Sequence, residues 1–170
     1  WPFELAAFAT STGPALAEGA FITVYLTIIS MAFGLVIAVP LAVTRVYGGP
    51  ISSRLSLAYT ELIRGTPLLA QLFFFYFGLP LAGLIGSFGI MELSGMPRTA
   101  AVVAIIAFTI NSSAYQAEYI RAALQSVDEG QLTAARAIGL SKREGIRRVV
   151  LPQGLRFAIP GWTNEFVYLI

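Results

Sequence analysis

The sequence predicts an all-α, polytopic helical membrane protein, and three observations carry that expectation. Apolar residues make up 56% of the 170-residue chain and charged residues only 12%. The mean hydropathy of +0.75 exceeds what a soluble core of this length requires. Residues 19–44, 65–91 and 99–117 carry no charge, and each stretch reaches or approaches the roughly 20 residues with which a helix crosses about 30 Å of hydrocarbon. Cysteine and histidine are both absent, which excludes disulfides, thiol nucleophiles, imidazole bases and the usual zinc sites.

The first span is expected over about 19–44, in "GAFITVYLTIISMAFGLVIAVPLAV". Gly34, Ala38 and Ala42 fall four apart there, a small-residue stripe that admits a close neighbour. Pro40 loosens its last turns, and "YGGP" at 47–50 breaks the chain into a short loop. A second span is expected over about 57–81. Glu61 and Arg64, three apart, share a face and can pair. Gly65 and Pro67 weaken the backbone ladder beside them, so a bend is expected there. The Gly-rich stretch that follows, 81–98, reads as a loop with partly buried, re-entrant character.

The third span is expected over about 99–120. It opens apolar and then turns to "NSSAYQAEYIR", which puts Asn111, Ser112, Ser113, Tyr115 and Gln116 at or below membrane depth. Polar side chains at that depth bind other helices or line a path. A fourth span, over 153–170, is incomplete. The chain opens on Trp1 without a basic leader and stops within "FVYLI", so a fragment is expected.

Orientation follows from Lys and Arg. With the 45–54 loop on the cytoplasmic side, that side holds Arg45, Arg54, Arg121, Arg136, Lys142, Arg143, Arg147, Arg148 and Arg156, while Arg98 alone lies outside. The positive-inside rule then puts the N-terminus outside and the stretch 128–152 in the cytoplasm.

That stretch carries its own punctuation. Asp128 with Gln131 predicts a capped start, Gly139 a left-handed stop, and Ser141 with Glu144 a second capping box. Ile146, Val149 and Val150 gather on one side of the second helix, and Pro152 is expected to close the unit. Two short helices joined at a glycine hinge result. One reading lays this basic pair on anionic lipid head groups. The other docks the small residues Ala134, Ala135, Ala137 and Gly139 into a partner's groove.

"RGTPLLAQLFFFYFGLP" and "GQLTAARAIGLSKREGIRRVVLPQGLR" together resemble the permease subunits of ATP-binding-cassette importers, specifically the polar amino acid uptake group. The resemblance runs from about Ala17 to Ile170. The second segment is similar to the cytoplasmic coupling loop of that family. Ala134, Ala135, Gly139, Leu151 and Pro152 match its pattern, and Thr133 stands where the pattern has Glu.

The resemblance implies a type I importer permease fold of five spans, truncated here before the last transmembrane helix. It also implies a prokaryotic inner membrane location, docking of the loop on separate ATPase subunits, a second permease subunit, identical or homologous, and an external solute-binding protein that delivers the amino acid. No nucleic acid is implied, and lipid surrounds the spans. No stretch matches the phosphate-cradling pattern G-x-x-x-x-G-K-[ST], so the expected user of ATP-Mg is the partner, with no cofactor in this chain.

Thr66, Gln71, Asn111, Ser112, Tyr115, Glu118, Asn164 and Glu165 are the polar or ionisable residues expected nearest a translocated amino acid. Its ammonium and carboxylate need hydrogen-bonding partners once stripped of water. Each of these residues equally suits a helix-holding role, Glu118 by pairing with Arg121. An intramembrane enzyme is disfavoured, because the only Asp is Asp128 and no Ser lies in a G-x-S-x-G context. An ATPase-independent channel or scaffold is the alternative.

Overall fold

The structure, a computed structural model, describes the backbone of residues 2–79 and 98–170 and the side chains of 10–79 and 100–170. The Gly-rich stretch expected to be re-entrant, and the end of the expected second span, fall largely outside the described residues. Those residues form helices joined by short turns, with no strand among them.

Helix α1, Pro2–Tyr47, has 46 residues and is about 69 Å long at 1.5 Å per residue. It begins well before the expected 19–44 span and ends three residues past it. Pro14 and Pro40 lie within it without ending it, because a helix in an apolar medium has no water to take up the carbonyls that unwinding frees. It stops at the glycine pair: the Gly48 amide returns to the Thr44 carbonyl at 3.0 Å. Gly49 then caps α2, Pro50–Arg64, with Pro50 in its first turn.

The expected second span is not one helix. It begins at Pro50 rather than Leu57, ends at Arg64, and resumes as α3, Leu68–Phe73, which widens into a π turn over Phe74–Gly78. Pro67 cannot donate a ladder hydrogen bond and biases Thr66 away from helical backbone, so the chain breaks at 65–67. Nor do Glu61 and Arg64 pair among the described residues; Arg64 places its guanidinium 5.3 Å above the Tyr115 ring.

Helix α4, Arg98–Gln125, is the centre of the fold. Its neighbours reach it through small residues. On α1, Gly34, Ala38 and Ala42 are buried, and a Cβ at Gly34 would come within 2.9 Å of Gln116 Nε2. On the last helix Gly154, Ala158 and Gly161 form the contact face: a Cβ at Gly154 would meet Leu124 Cδ2 at 2.7 Å, and one at Gly161 would meet Tyr119 Cγ at 2.9 Å. Close backbone approach is how helices gain contact where lipid tails are as apolar as any side chain.

After α4 come α5, Glu129–Ala137, and α6, Lys142–Gly145. The expectation that Pro152 closes this unit is corrected. Helix α6 passes through a π turn, Ile146–Val150, directly into α7, Leu151–Leu169. The Leu151 amide reaches back to the Ile146 carbonyl across the wide turn. A proline near the start of the next helical segment then fits, since the register has already shifted. The second short helix is therefore the beginning of α7.

Candidate functional site

Two polar regions stand out, one inside the helix bundle and one in the two-helix turn at its end. Inside, Asn111, Ser112, Ser113 and Gln116 of α4 are all buried. Gln116 Nε2 donates to the Met31 carbonyl at 3.1 Å and to Ser112 Oγ at 2.9 Å, and Ser113 Oγ lies 2.7 Å from the Tyr59 hydroxyl. These bonds tie α4 to α1 and α2. Asn111 Nδ2 donates to Gln71 Oε1 at 3.2 Å, which ties it to α3.

Glu165 of α7 lies eleven residues beyond Gly154 on the same small-residue face and is 1% exposed. The Tyr119 hydroxyl donates to its Oε2 at 3.4 Å, while Oε1 is buried without a partner. Asn111 Oδ1 and Thr109 Oγ1 share that condition. An unpaired buried acceptor costs about 1–3 kcal/mol, so such groups are sites where a donor from outside the chain is favoured. Arg64 stacks on Tyr115, whose ring lies 6.4 Å from that of Tyr168 on α7. Cationic, aromatic and carboxylate groups thus border the bundle interior.

Of the eight expected path residues, Gln71, Asn111, Ser112, Tyr115 and Glu165 are brought to this interior. Thr66 sits at the helix break, exposed, with its hydroxyl within 2.7 Å of Gln71 Nε2. Asn164 is exposed, on a different face of α7 from Glu165. Glu118 belongs elsewhere: it bridges Arg45 of α1 at 3.2 Å and Arg121 at 2.7 Å. Arg45 in turn donates to Thr60 of α2 at 2.9 Å, so this cluster fastens three helices together. Tyr59, Arg64 and Tyr119 were not singled out from sequence as members of the interior cluster. The 154, 158, 161, 165 spacing was the visible signal that α7 turns its carboxylate toward α4.

The two-helix turn is built from local bonds. Asp128 Oδ1 accepts from the Gly130 amide at 2.7 Å. Gln131 does not complete a capping box; its Oε1 accepts instead from Gln153 Nε2 at 3.4 Å, linking α5 to α7. Gly139 has φ +92°, a left-handed value, and the Leu140 amide reaches back to the Ala135 carbonyl at 3.1 Å. The Ser141 box forms in both directions, with Ser141 N to Glu144 Oε2 at 3.1 Å and Glu144 N to Ser141 Oγ at 3.3 Å. The Ser141 hydrogen bonds hold the Glu144 carboxyl below its ordinary range.

Among the residues expected to form the coupling loop, Ala135 turns inward, onto the chain itself. It is 3% exposed and packs against Gly145, where a Cβ would stand 3.4 Å from its own. Thr133, Ala134, Ala137 and Gly139 are exposed, Leu151 is half-buried and Pro152 exposed. Thr133, Ala137, Gly139 and Ser141 line a shallow cavity of about 670 Å³. Lys142 Nζ donates to the Tyr47 carbonyl at 3.1 Å, so the turn also holds the end of α1. Among the described residues no three His, Cys, Asp or Glu side chains converge as metal ligands.

Residues 30–170 match the model of the family described as "Binding-protein-dependent transport system inner membrane component". The chain is 38% identical over its whole length to the probable amino-acid permease protein YxeN of Bacillus subtilis, covering 70% of that protein. It is 41% identical to the glutamine transport system permease protein GlnP of Escherichia coli, over 92% of this chain and 67% of that one. Among solved structures, a crystal structure of an amino acid ABC transporter with histidines superposes with a TM-score of 0.70 at 33% identity, over 95% of this chain and 72% of that one. The MetNI methionine ABC transporter in inward facing conformations shares the fold, with a TM-score of 0.74 at 23% identity over 91% of this chain and 69% of that one.

Proposed function

The chain belongs to the family of binding-protein-dependent transport system inner membrane components, and from that premise we propose that it is the membrane-spanning permease subunit of an ATP-driven amino acid importer. The amino acid assignment is supported by the names of the relatives, a glutamine permease and a probable amino-acid permease among them. In this reading the subunit spans the inner membrane several times with its N-terminus outside. It pairs with a second permease subunit, identical or homologous, and receives its solute from an external binding protein. A partner ATPase consumes ATP-Mg.

The observation that carries the mechanism is the unbroken helical run from Lys142 to Leu169. Ser141 caps its cytoplasmic end and Glu165 sits about 34 Å further along. A helix transmits a rigid displacement that a flexible link would absorb. Docking of the exposed face of α5, around Thr133, Ala134 and Gly139, on the ATPase would thus move α7 and its carboxylate directly. Lys142, bonded to the Tyr47 carbonyl, would carry the end of α1 along. The solute path in this reading runs between α3, α4 and α7. There Asn111 Oδ1 and Glu165 Oε1 offer acceptors to the solute's ammonium, and Arg64, held over the Tyr115 ring of α4, offers its guanidinium to the solute's carboxylate.

Two measurements test these parts separately. Gly139→Val, at φ +92°, adds strain of about 1–2 kcal/mol to the hinge. It should weaken association with the ATPase and lower uptake per ATP hydrolysed; unchanged association and coupling would remove the hinge from the account. Asn111→Ala and Glu165→Gln should each raise the KM for uptake about 10-fold or more, and wild-type KM and selectivity in both would remove the path assignment.

A further inference from the structure

One side chain joins the break between α2 and α3 to the unpartnered oxygen of Asn111. The break frees carbonyls that a continuous helix would have used, and Gln71, one turn into α3, turns back on them. Its Nε2 lies 2.7 Å from the Ile63 carbonyl, 3.1 Å from the Thr66 carbonyl and 2.7 Å from Thr66 Oγ1. The Thr66 hydroxyl has its own acceptors in the Leu62 and Ile63 carbonyls, at 3.2 and 3.0 Å, so it presents a lone pair to Gln71.

Three acceptors on one side of a carboxamide admit only its NH2 group there. The orientation of Gln71 is therefore set by the backbone of the break, and its Oε1 must face α4. Asn111 answers with Nδ2 at 3.2 Å. Turning Asn111 over would oppose two carbonyl oxygens, so its Oδ1 points away from Gln71, buried and without a partner. Gln71 is 7% exposed and Asn111 2%, so water does not freely restore a lost bond at either.

We infer that Gln71 is a positioning residue through which the α2–α3 break sets the pole that Asn111 offers to the solute. While the bend holds Gln71 by its NH2 group, Asn111 presents an acceptor suited to an ammonium. A change of bend that withdraws the carbonyls frees Gln71 to rotate and Asn111 with it, so the bend and solute affinity are linked. Thr66 and Gln71, both expected from sequence to line the path, act in this arrangement one step behind it. The inference rests on Asn111 lying in the path.

The test is a double-mutant cycle in the intact importer, with its ATPase and binding protein, reconstituted in proteoliposomes. Uptake is followed with whichever of radiolabelled L-glutamine, L-arginine and L-cystine is transported fastest. Gln71→Met removes both amide poles at similar volume. It should raise KM about 10-fold, with the maximal rate per assembled complex within about 2-fold, and should add less than about 2-fold to KM when Asn111 is already Ala. Thr66→Val, which takes away one of the three acceptors, should raise KM about 3-fold in the same background-dependent way; it decides the matter if Gln71→Met fails to assemble. Equal KM increases with Asn111 present or replaced overturn the relay alone, as does a fall in maximal rate without a change in KM. A wild-type KM for Asn111→Ala overturns the path assignment and the relay with it.

Discussion

The two-helix turn and the interior of the helix bundle are both polar, yet they satisfy their polar groups in opposite ways. In the turn, partners are neighbours in sequence: Asp128 bonds Gly130, Ser141 bonds Glu144, and Arg148 lies 3.7 Å from Glu144 one helical turn away. In the interior, partners come from distant helices: Gln116 with Met31, Tyr59 with Ser113, Asn111 with Gln71, Tyr119 with Glu165. Water lies beside the turn and can replace a lost bond there, whereas the interior offers no such substitute. The comparison teaches that the turn is a self-contained stiff part, while the interior depends on how the helices are set against one another. That division suits a lever acting on a solute site.

The sharpest way to break the comparison is at Glu118, whose carboxylate pairs with Arg45 of a distant helix and with Arg121 of its own. Glu118→Leu would leave Arg45 and Arg121 facing each other without a carboxylate, at a site where the Glu118 and Arg45 side chains are each 14% exposed. We expect a loss of about 3 kcal/mol, read as a lower inactivation temperature of the solubilised importer. An unchanged temperature would mean that the two guanidinium groups find water and that this end of the bundle behaves like the turn.

A smaller effect is expected at Ser141. Ser141→Ala removes the side-chain half of the capping box and should cost about 1 kcal/mol. It should appear as faster amide hydrogen exchange over 144–146 with little change in global inactivation temperature. A large global effect would show that the turn is not self-contained.

The smallest effect is in pH. The Ser141 hydrogen bonds hold the Glu144 carboxyl below its ordinary value in the folded turn. Its contribution is therefore complete above the ordinary glutamate value and is lost as the pH falls through the lowered folded one. Amide exchange at 141–144 should quicken across that window and show no such step in Glu144→Gln. Because the Glu144 side chain is 45% exposed, the step should be slight, and a steep one would point to a further partner of the carboxylate.

Legibility in sequence followed the same division. The capping box at Ser141, the left-handed stop at Gly139, the turn at 47–50 and the weakness at 65–67 were all readable, because each depends on residues within a few positions. The errors arose where a local signal met a tertiary context. Pro152 looked like a terminator, but the wide turn before it lets α6 continue into α7. Ala135 looked like part of a docking face, but the α5–α6 hinge folds it onto Gly145. The pairing of Glu118 with Arg121 was readable from their spacing of three, but only packing added Arg45 to Glu118 and left Glu165 with a free oxygen.

Charge-free stretches, glycine and proline punctuation and cap residues thus determined by themselves that this chain is helical and built around the bilayer, with a basic two-helix turn beside it. Each of those features is decided by solvation of the backbone or by bonds closed within a turn. Helix crossings alone decided that Gln71 meets Asn111, that Arg45 meets Glu118 and that Glu165 is buried against α4. Those pairings join residues tens of positions apart, and their geometry exists only once small residues at 34, 38, 42, 154, 158 and 161 let the helices approach.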